Sequence, residues 1–313
     1  MTKVSIVTPV YNESENITNL VQRVNSVFKK LAKFKYEHII IDNDSTDDTF
    51  KICVKLAHEF PNLIIIRNFK NFGFSKSSFY ALKQATGDCA IFLMADLQDP
   101  PELIPAMISM WEKGISIVAC VKTSSNESRI MYFLRSKYYA IMKALTNGQH
   151  IEHFTGFGLY DRKFLDIINS FDDSTPYLRG MVYEYGFAIK KLEYKQDKRK
   201  KGVTKFSFWG LLDLAILGVV SSSKVPLRLM VLSGFFSAVI FFIIGLVYLI
   251  MKLLYWDSFQ SGVAGIVVSV FFIGSIQLMM IGLIGEYVGV IFNQTRKRPL
   301  VIERERFYSD VNN

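Results

Sequence analysis

The run Ala95-Asp-Leu-Gln-Asp-Pro-Pro-Glu102 concentrates the side chains best suited to chemistry. Asp96, Gln98 and Asp99 offer hard oxygen donors, the kind that hold Mg²⁺ or Mn²⁺ against a diphosphate. The run follows an apolar stretch, Cys89-Ala-Ile-Phe-Leu-Met94, that reads as a strand. Its carboxylates therefore fall where a strand ends, and open α/β sheets bind ligands at that edge. Pro100-Pro101 then opens a helix, because proline is preset for a first helical turn. An ordinary acidic strand-to-helix turn would use the same residues, so the rest of the chain must decide between the two readings.

Two earlier strand ends carry polar clusters of their own. The first is Thr8-Pro-Val-Tyr-Asn-Glu13 and the second is Ile41-Asp-Asn-Asp-Ser-Thr-Asp47. A carboxylate such as Asp42 can accept hydrogen bonds from a base or ribose, and Tyr11 can pack on a base. Plain turn chemistry is the competing account, since Asn, Asp and Ser favour turns in any case. Neither GxGxxG nor GxxxxGK[ST] occurs, so dinucleotide and P-loop readings lack their phosphate-binding glycines.

The elements that must position these groups alternate strand and helix over the first ~120 residues, the signature of βαβ units around a parallel sheet. Val4–Thr8, His38–Ile41, Leu63–Arg67, Ala90–Met94 and Ile117–Val121 are short apolar runs with β-branched enrichment. Helical patterns separate them at Ile17–Ala32, Thr46–His58, Ser75–Ala85 and Leu103–Glu112. Ser45–Asp48 reads as a helix start and Gly87 as a helix stop. Ile130–Leu145 is amphipathic, and Thr155–Asp161 and Tyr183–Ile189 read as further strands. His38 and His58 read as structural, and the four histidines form no ligand cluster.

The remainder of the chain is apolar in a way a soluble domain is not. From Leu229 to Trp256 the only charge is Lys252, and from Ser258 to Gln294 the only charge is Glu286. Each stretch exceeds the roughly 20 residues needed to cross a bilayer. Phe206–Val220 is shorter and reads as a helix in the membrane interface, with a third full span as the rival reading. Lys3-Val-Ser-Ile-Val-Thr8 already reads as structure, so no signal peptide is expected ahead of it. The net charge of +9 gathers beside the apolar segments, at Lys198-Arg-Lys-Lys201, Lys205, Lys224, Arg228 and Arg296-Lys-Arg298. Positive flanks mark the cytoplasmic side, and the intervening loop 257–261 has no Lys or Arg, so both chain ends should be cytoplasmic. An anionic membrane explains these charges better than nucleic acid, whose motifs do not accompany them. Cys53, Cys89 and Cys120 have no metal-binding spacing and read as reduced core thiols.

Taken together and in this order, the three polar blocks resemble the family 2 glycosyltransferases of the GT-A fold. The pattern is Pro-x-Tyr-Asn-Glu, then Asp-Asp-Gly-Ser-x-Asp, then Asp-Ala-Asp-Leu-Gln-Asp-Pro-Pro-Glu. With two C-terminal spans, the chain is similar to polyprenyl-phosphate glycosyltransferases, the group that includes dolichyl-phosphate mannose synthases and bactoprenol glucosyltransferases. The likeness continues through Asp161-Arg162, Leu178-Arg-Gly180 and Arg199–Phe206. It departs from the family at Asn43, an amide where a second carboxylate stands, and at Met94, where the first Asp of Asp-x-Asp stands. It departs again at Gly156, where some members carry a proposed base.

The resemblance implies a Rossmann-like mixed α/β sheet in a cytoplasmic domain over 1–206. An interfacial helix over 207–224, a two-helix transmembrane hairpin over 225–295 and a basic tail over 296–313 would follow, the tail loose or lying against the first domain. It implies transfer of a sugar from a nucleoside diphosphate to polyprenyl phosphate with inversion, at a bacterial inner membrane, for modification of a surface glycan of the O-antigen type. UDP-glucose is the donor by analogy, with other UDP-hexoses, UDP-aminopentose and GDP-mannose open. Pro9, Tyr11, Glu13, Asp42, Asn43, Asp96, Arg199 and Lys205 would bind the nucleotide sugar, and Asp96 and Gln98 would hold Mg²⁺ or Mn²⁺. Asp96 and Asp99 would be catalytic, with Asp99 orienting the acceptor, and Lys122, Arg129 and Arg135 would receive the acceptor phosphate. That acceptor is largely ionised at neutral pH, which explains how transfer proceeds without a strong base. Two thin spans beside a large domain would pack better in a homo-oligomer, such as a tetramer. A non-catalytic membrane scaffold of the same fold is the alternative. A processive polysaccharide synthase would need more spans and a Gln-x-x-Arg-Trp-type motif, which is not found.

Overall fold

The computed structural model describes residues 1–123, 151, 153–170, 173, 176–196, 216, 219, 225–254, 263–296 and 298–309. The expected helices at Ile130–Leu145 and Phe206–Val220, the basic run 198–201, Arg129, Arg135, Arg199, Lys205 and loop 257–261 lie outside the described residues. The chain divides into two compact units, residues 1–215 with 296–313, and residues 216–295.

The first unit is a mixed eight-stranded sheet. Its strands are β1 (Lys3–Val10), β2 (Lys35–Asp42), β3 (Leu63–Asn68), β4 (Cys89–Phe92), β5 (Ile117–Lys122), β6 (Phe154–Asp161), β7 (Ile189–Tyr194) and β8 (Glu303–Tyr308). The sheet order is β7-β5-β6-β4-β1-β2-β3-β8. Strands β4, β1, β2 and β3 run parallel, whereas β6 is antiparallel to both β4 and β5, and β8 is antiparallel to β3.

Helices cover both faces, which is why the central strands read as continuous apolar runs. Alternate strand residues feed two cores. Val4, Ile6, Ile40 and Ile91 pack with α1 (Ile17–Lys30), α2 (Thr49–Glu59) and α4 (Ile104–Glu112) on one side. Val7, Ile39, Ile41 and Phe92 pack with α3 (Phe74–Lys83), α5 (Arg162–Ser170) and α6 (Leu178–Glu184) on the other. The cysteines are free and buried in these cores, as expected.

Two local expectations change. Tyr183–Ile189 is not a strand: its first residues close α6, Gly186 turns the chain at φ +70°, and the strand lies at Ile189–Tyr194. Gly87 does not stop a helix, since α3 ends at Lys83. It is needed for close approach, because a Cβ there would sit 2.7 Å from the Lys3 carbonyl oxygen and 2.8 Å from the Ser5 nitrogen. Of the two expectations for the tail, lying against the first domain holds, since Glu303–Tyr308 is the edge strand paired with β3.

The second unit contains α7 (Val225–Leu254) and α8 (Val263–Thr295). Within α8, Phe272–Thr295 is long and apolar enough to cross a membrane by length and composition, and it stands alone in this among the described residues.

Candidate active site

The chain runs from β1 through β2 to β3 on one side and returns to β4 on the other side of β1. That reversal falls at the carboxyl ends of β1 and β4, where sheets of this kind bind ligands. Among the described residues, every non-glycine with positive φ lies at this edge: Asn12 (52°) after β1, Asp44 (62°) after β2, Leu97 (59°) after β4 and His153 (58°) before β6. Left-handed backbone costs an L-residue roughly 1–2 kcal/mol. Such conformations gather at functional sites, where the surrounding structure holds them.

The loops after β1 and β2 are sewn together. The Asn12 amide donates to Ser45 Oγ at 2.9 Å, and Asn12 Oδ1 accepts from the Thr46 amide at 2.7 Å. The Glu13 amide donates to Thr49 Oγ1 at 2.8 Å, and Glu13 Oε2 accepts from Asn16 Nδ2 at 2.7 Å, so its side chain serves the loop. Asn43 is a hub: Oδ1 accepts from Asn68 Nδ2 at 2.9 Å and from the Phe72 amide at 3.0 Å, while Nδ2 donates to Asn71 Oδ1 at 2.8 Å. A carboxylate could not make that last bond, which gives the amide a physical reason at this position. Pro9 and Tyr11 are half-buried beside it.

Asp42 is wholly buried. Burial raises its carboxyl pKa, while bonds from Ser45 and the charge of Arg67 pull the other way. Arg67 Nε lies 3.6 Å from Asp42 Oδ2, and Arg67 Nη2 lies 3.7 Å from Asp44 Oδ1. Arg67 did not stand out in the sequence. Its signal was a charge closing the apolar run Leu63–Ile66 at the same sheet edge.

Beyond β4, the left-handed Leu97 bends the chain so that the Gln98 amide donates to Asp96 Oδ1 at 3.2 Å. Asp96 is partly exposed, but Asp99 is fully buried. Asp99 Oδ1 accepts a short hydrogen bond from the Tyr194 hydroxyl, and Oδ2 has no hydrogen-bond partner. Burial pushes the Asp99 carboxyl up to about 6, against the pull of Lys122 and Tyr194, with Asp96 adding to the rise. Lys122, the last residue of β5, sits opposite Tyr194 in the β5–β7 ladder. Sheet pairing thus brings Asp96, Asp99 and Lys122 into one electrostatic group. Tyr194, 95 residues from Asp99, had no local signal at all. Glu102 faces elsewhere, taking two hydrogen bonds from Arg23 at 2.9 and 2.5 Å.

Two glycines shape the wall on β6. Gly156 holds φ +103°, a conformation L-residues rarely adopt, so the backbone itself suits the loss of a side chain there. At Gly158 a Cβ would run into the Val118 carbonyl oxygen.

Among the described residues no cluster of three His, Cys, Asp or Glu side chains could hold a metal ion. Asp96 and Gln98 supply one carboxylate and one amide oxygen, a hard donor set that suits Mg²⁺ or Mn²⁺ when phosphate oxygens complete it.

A mixed α/β sheet with polar loops at its switch point is the architecture of the GT-A fold. Residues 5–186 match Glycosyl transferase family 2, and the chain belongs to that family. It is a glycosyltransferase. It is 30% identical over 305 residues to the bactoprenol glucosyl transferase of Shigella phage SfX, covering 97% of this chain and 99% of that relative. It is 32% identical over 301 residues to a prophage bactoprenol glucosyl transferase homolog of Escherichia coli K12, covering 96% and 98%. In fold it is similar to mannosyl-3-phosphoglycerate synthase from Rubrobacter xylanophilus, with a TM-score of 0.52 and 15% identity over 72% of this chain and 74% of that one.

Proposed function

We propose that this enzyme transfers glucose from UDP-glucose to the phosphate of undecaprenyl phosphate, with inversion, at the cytoplasmic face of a bacterial inner membrane. The product would be a lipid-linked phosphosugar that supplies cell-surface glycan modification of the O-antigen type. The observation that carries the reading is the carboxyl edge itself: Asp96 and Lys122 both acting on the buried Asp99, on a chain like bactoprenol glucosyl transferases from end to end.

Pro9, Tyr11, Glu13, Asp42 and Asn43 form the nucleotide end of the site. Asp96 and Gln98 would hold Mg²⁺ or Mn²⁺, which when bound offsets charge developing on the departing diphosphate. Arg199 and Lys205 clamp phosphate oxygens, for which a forked guanidinium is well suited. Lys122, Arg129 and Arg135 receive the acceptor phosphate, and Asp99 orients it. A phosphate oxygen attacks the anomeric carbon, that carbon's bond to the diphosphate oxygen breaks, and the electron pair leaves with UDP. The nucleophile is already ionised, so no side chain needs to take its proton.

Sheet pairing supports a two-span hairpin. β8 follows the apolar segment yet pairs with β3, which precedes it. An even number of crossings would return the chain to that sheet, in keeping with a two-span hairpin. Exposed apolar side chains such as Leu232, Phe235 and Ile243 on α7, and Leu278 and Ile281 on α8, suit a lipid surroundings. The spans would associate in a homo-oligomer such as a tetramer.

The test is incubation of enzyme in membranes with labelled UDP-glucose, UDP-galactose or GDP-mannose and undecaprenyl phosphate. The expected product is released by mild acid and stable to phosphatase, and free polyprenol is inert. Efficient glycosylation of free polyprenol, or of a protein or glycan hydroxyl, would overturn the acceptor assignment.

A further inference from the structure

We infer that the C-terminal strand is a working part of the nucleotide end, with Glu305 a positioning residue that holds the Arg67 guanidinium beside Asp42 rather than on it. The inference rests on the reading of Asp42 as a nucleotide ligand.

Register places Glu305 of β8 directly opposite Arg67 of β3. Arg67 Nη1 donates to Glu305 Oε1 at 3.3 Å. Its approaches to Asp42 and Asp44, at 3.6 and 3.7 Å, have ion-pair range but no hydrogen bond, and Nε is buried without a hydrogen-bond partner. One cation is thus shared by three carboxylates, and it bonds to the one farthest along the chain. The guanidinium also lies 4.4 Å over the Phe50 ring, and Phe50 meets Phe307 of β8 edge-on at 5.8 Å. Both supports of the arginine's present position therefore involve β8.

Without the Glu305 charge, the remaining attraction on Arg67 comes from the loop that holds Asp42 and Asp44. A shift of less than about 1 Å would bring Nε into hydrogen-bond range of Asp42. A charge-assisted bond there is among the stronger ones and would occupy the oxygen that a base N–H or ribose O–H needs. The strand itself would stay in place. Tyr80 donates to Glu303 Oε1 at 2.6 Å, Arg306 Nη2 donates to Gln84 Oε1 at 2.7 Å, and the Phe69 amide donates to the Ile302 carbonyl at 3.0 Å.

The experiment compares Glu305→Gln, Glu305→Asp, Arg67→Gln, Arg67→Gln/Glu305→Gln and Asp42→Asn in the full-length enzyme. It reads UDP affinity by calorimetry with Mg²⁺ present, and KM for each substrate. Glu305→Gln should weaken UDP and raise the UDP-glucose KM by about tenfold, the equivalent of ~1.4 kcal/mol. The undecaprenyl phosphate KM and kcat should stay unchanged. Glu305→Asp, which keeps the charge, should recover most of the loss, and Glu305→Gln should add nothing once Arg67 is Gln. UDP affinity unchanged in Glu305→Gln, with or without a lower Tm, would make the pair purely structural and overturn the inference, while a loss in Asp42→Asn would leave the Asp42 reading standing. If Asp42→Asn binds UDP as wild type does, that reading falls and this inference falls with it.

Discussion

Asp96 is the side chain whose removal should matter most for transfer and least for folding. It is partly exposed, and its carboxylate accepts a hydrogen bond from the Gln98 amide within its own turn. Asp96→Ala should lower kcat by about a hundredfold or more, the scale seen when charge stabilisation of a transition state is lost, with Tm nearly unchanged. EDTA should likewise stop the reaction and Mg²⁺ or Mn²⁺ restore it; activity of Asp96→Ala within a few-fold of wild type would remove the residue from the mechanism. The pH profile tests the nucleophile. If the acceptor is a phosphate, the rate should rise through pH ~6 as its second proton leaves, then level off. Asp99 titrates in the same range, at about 6. Asp99→Asn separates the two, because the amide oxygen still accepts from the Tyr194 hydroxyl but cannot titrate. A rise that persists in Asp99→Asn belongs to the phosphate, and a flat profile would assign it to Asp99.

At the scale of elements, β2 carries a titration of its own. His38 is 1% exposed and lies 3.0 Å from Thr8 Oγ1. Burial lowers its pKa from 6.5 to about 3. The folded state therefore favours the neutral ring. Its contribution is complete above the unfolded pKa and is lost as pH falls from 6.5 towards about 3. Between pH 7 and pH 5 the loss should be about 2 kcal/mol. Urea titrations at the two pH values would measure it, and His38→Gln should flatten that difference; equal slopes in the two proteins would show that another group is responsible. Elements also show where local reading stops. The βαβ alternation was legible because burial on both faces makes apolar runs that a short window detects. The displaced strand at 183–189 was not, because Tyr183-Glu-Tyr-Gly-Phe-Ala-Ile189 has enough aromatic and β-branched content to suit either a strand or the end of α6. Packing of Met181 and Val182 against the core decided it.

For the whole molecule, the sharpest consequence is topological. A cysteine placed near Phe259 should be labelled from outside the cell, and one near Asn312 should be reached only after permeabilisation. Lys and Arg asymmetry around the apolar segments sets the side, and the pairing of β8 with β3 puts the tail on the same side as the rest of the sheet. External labelling near Asn312 would contradict the orientation read from the charges.

The sequence by itself determined the element types of the first ~120 residues, the apolar segments and the Ala95–Glu102 block, because each depends on neighbours within a turn or a strand. It also carried the departures at Asn43, Met94 and Gly156, though not their reasons. For Asn43 and Gly156 the reasons came from tertiary structure: Asn43 must both donate and accept between the loops after β2 and β3, and Gly156 holds a left-handed φ. Tyr194 reaches Asp99 across 95 residues and Glu305 reaches Arg67 across 238. Such contacts exist only once the sheet has its order. That order follows from burying both faces of every central strand at once, a condition on the whole sheet that no short stretch of sequence contains.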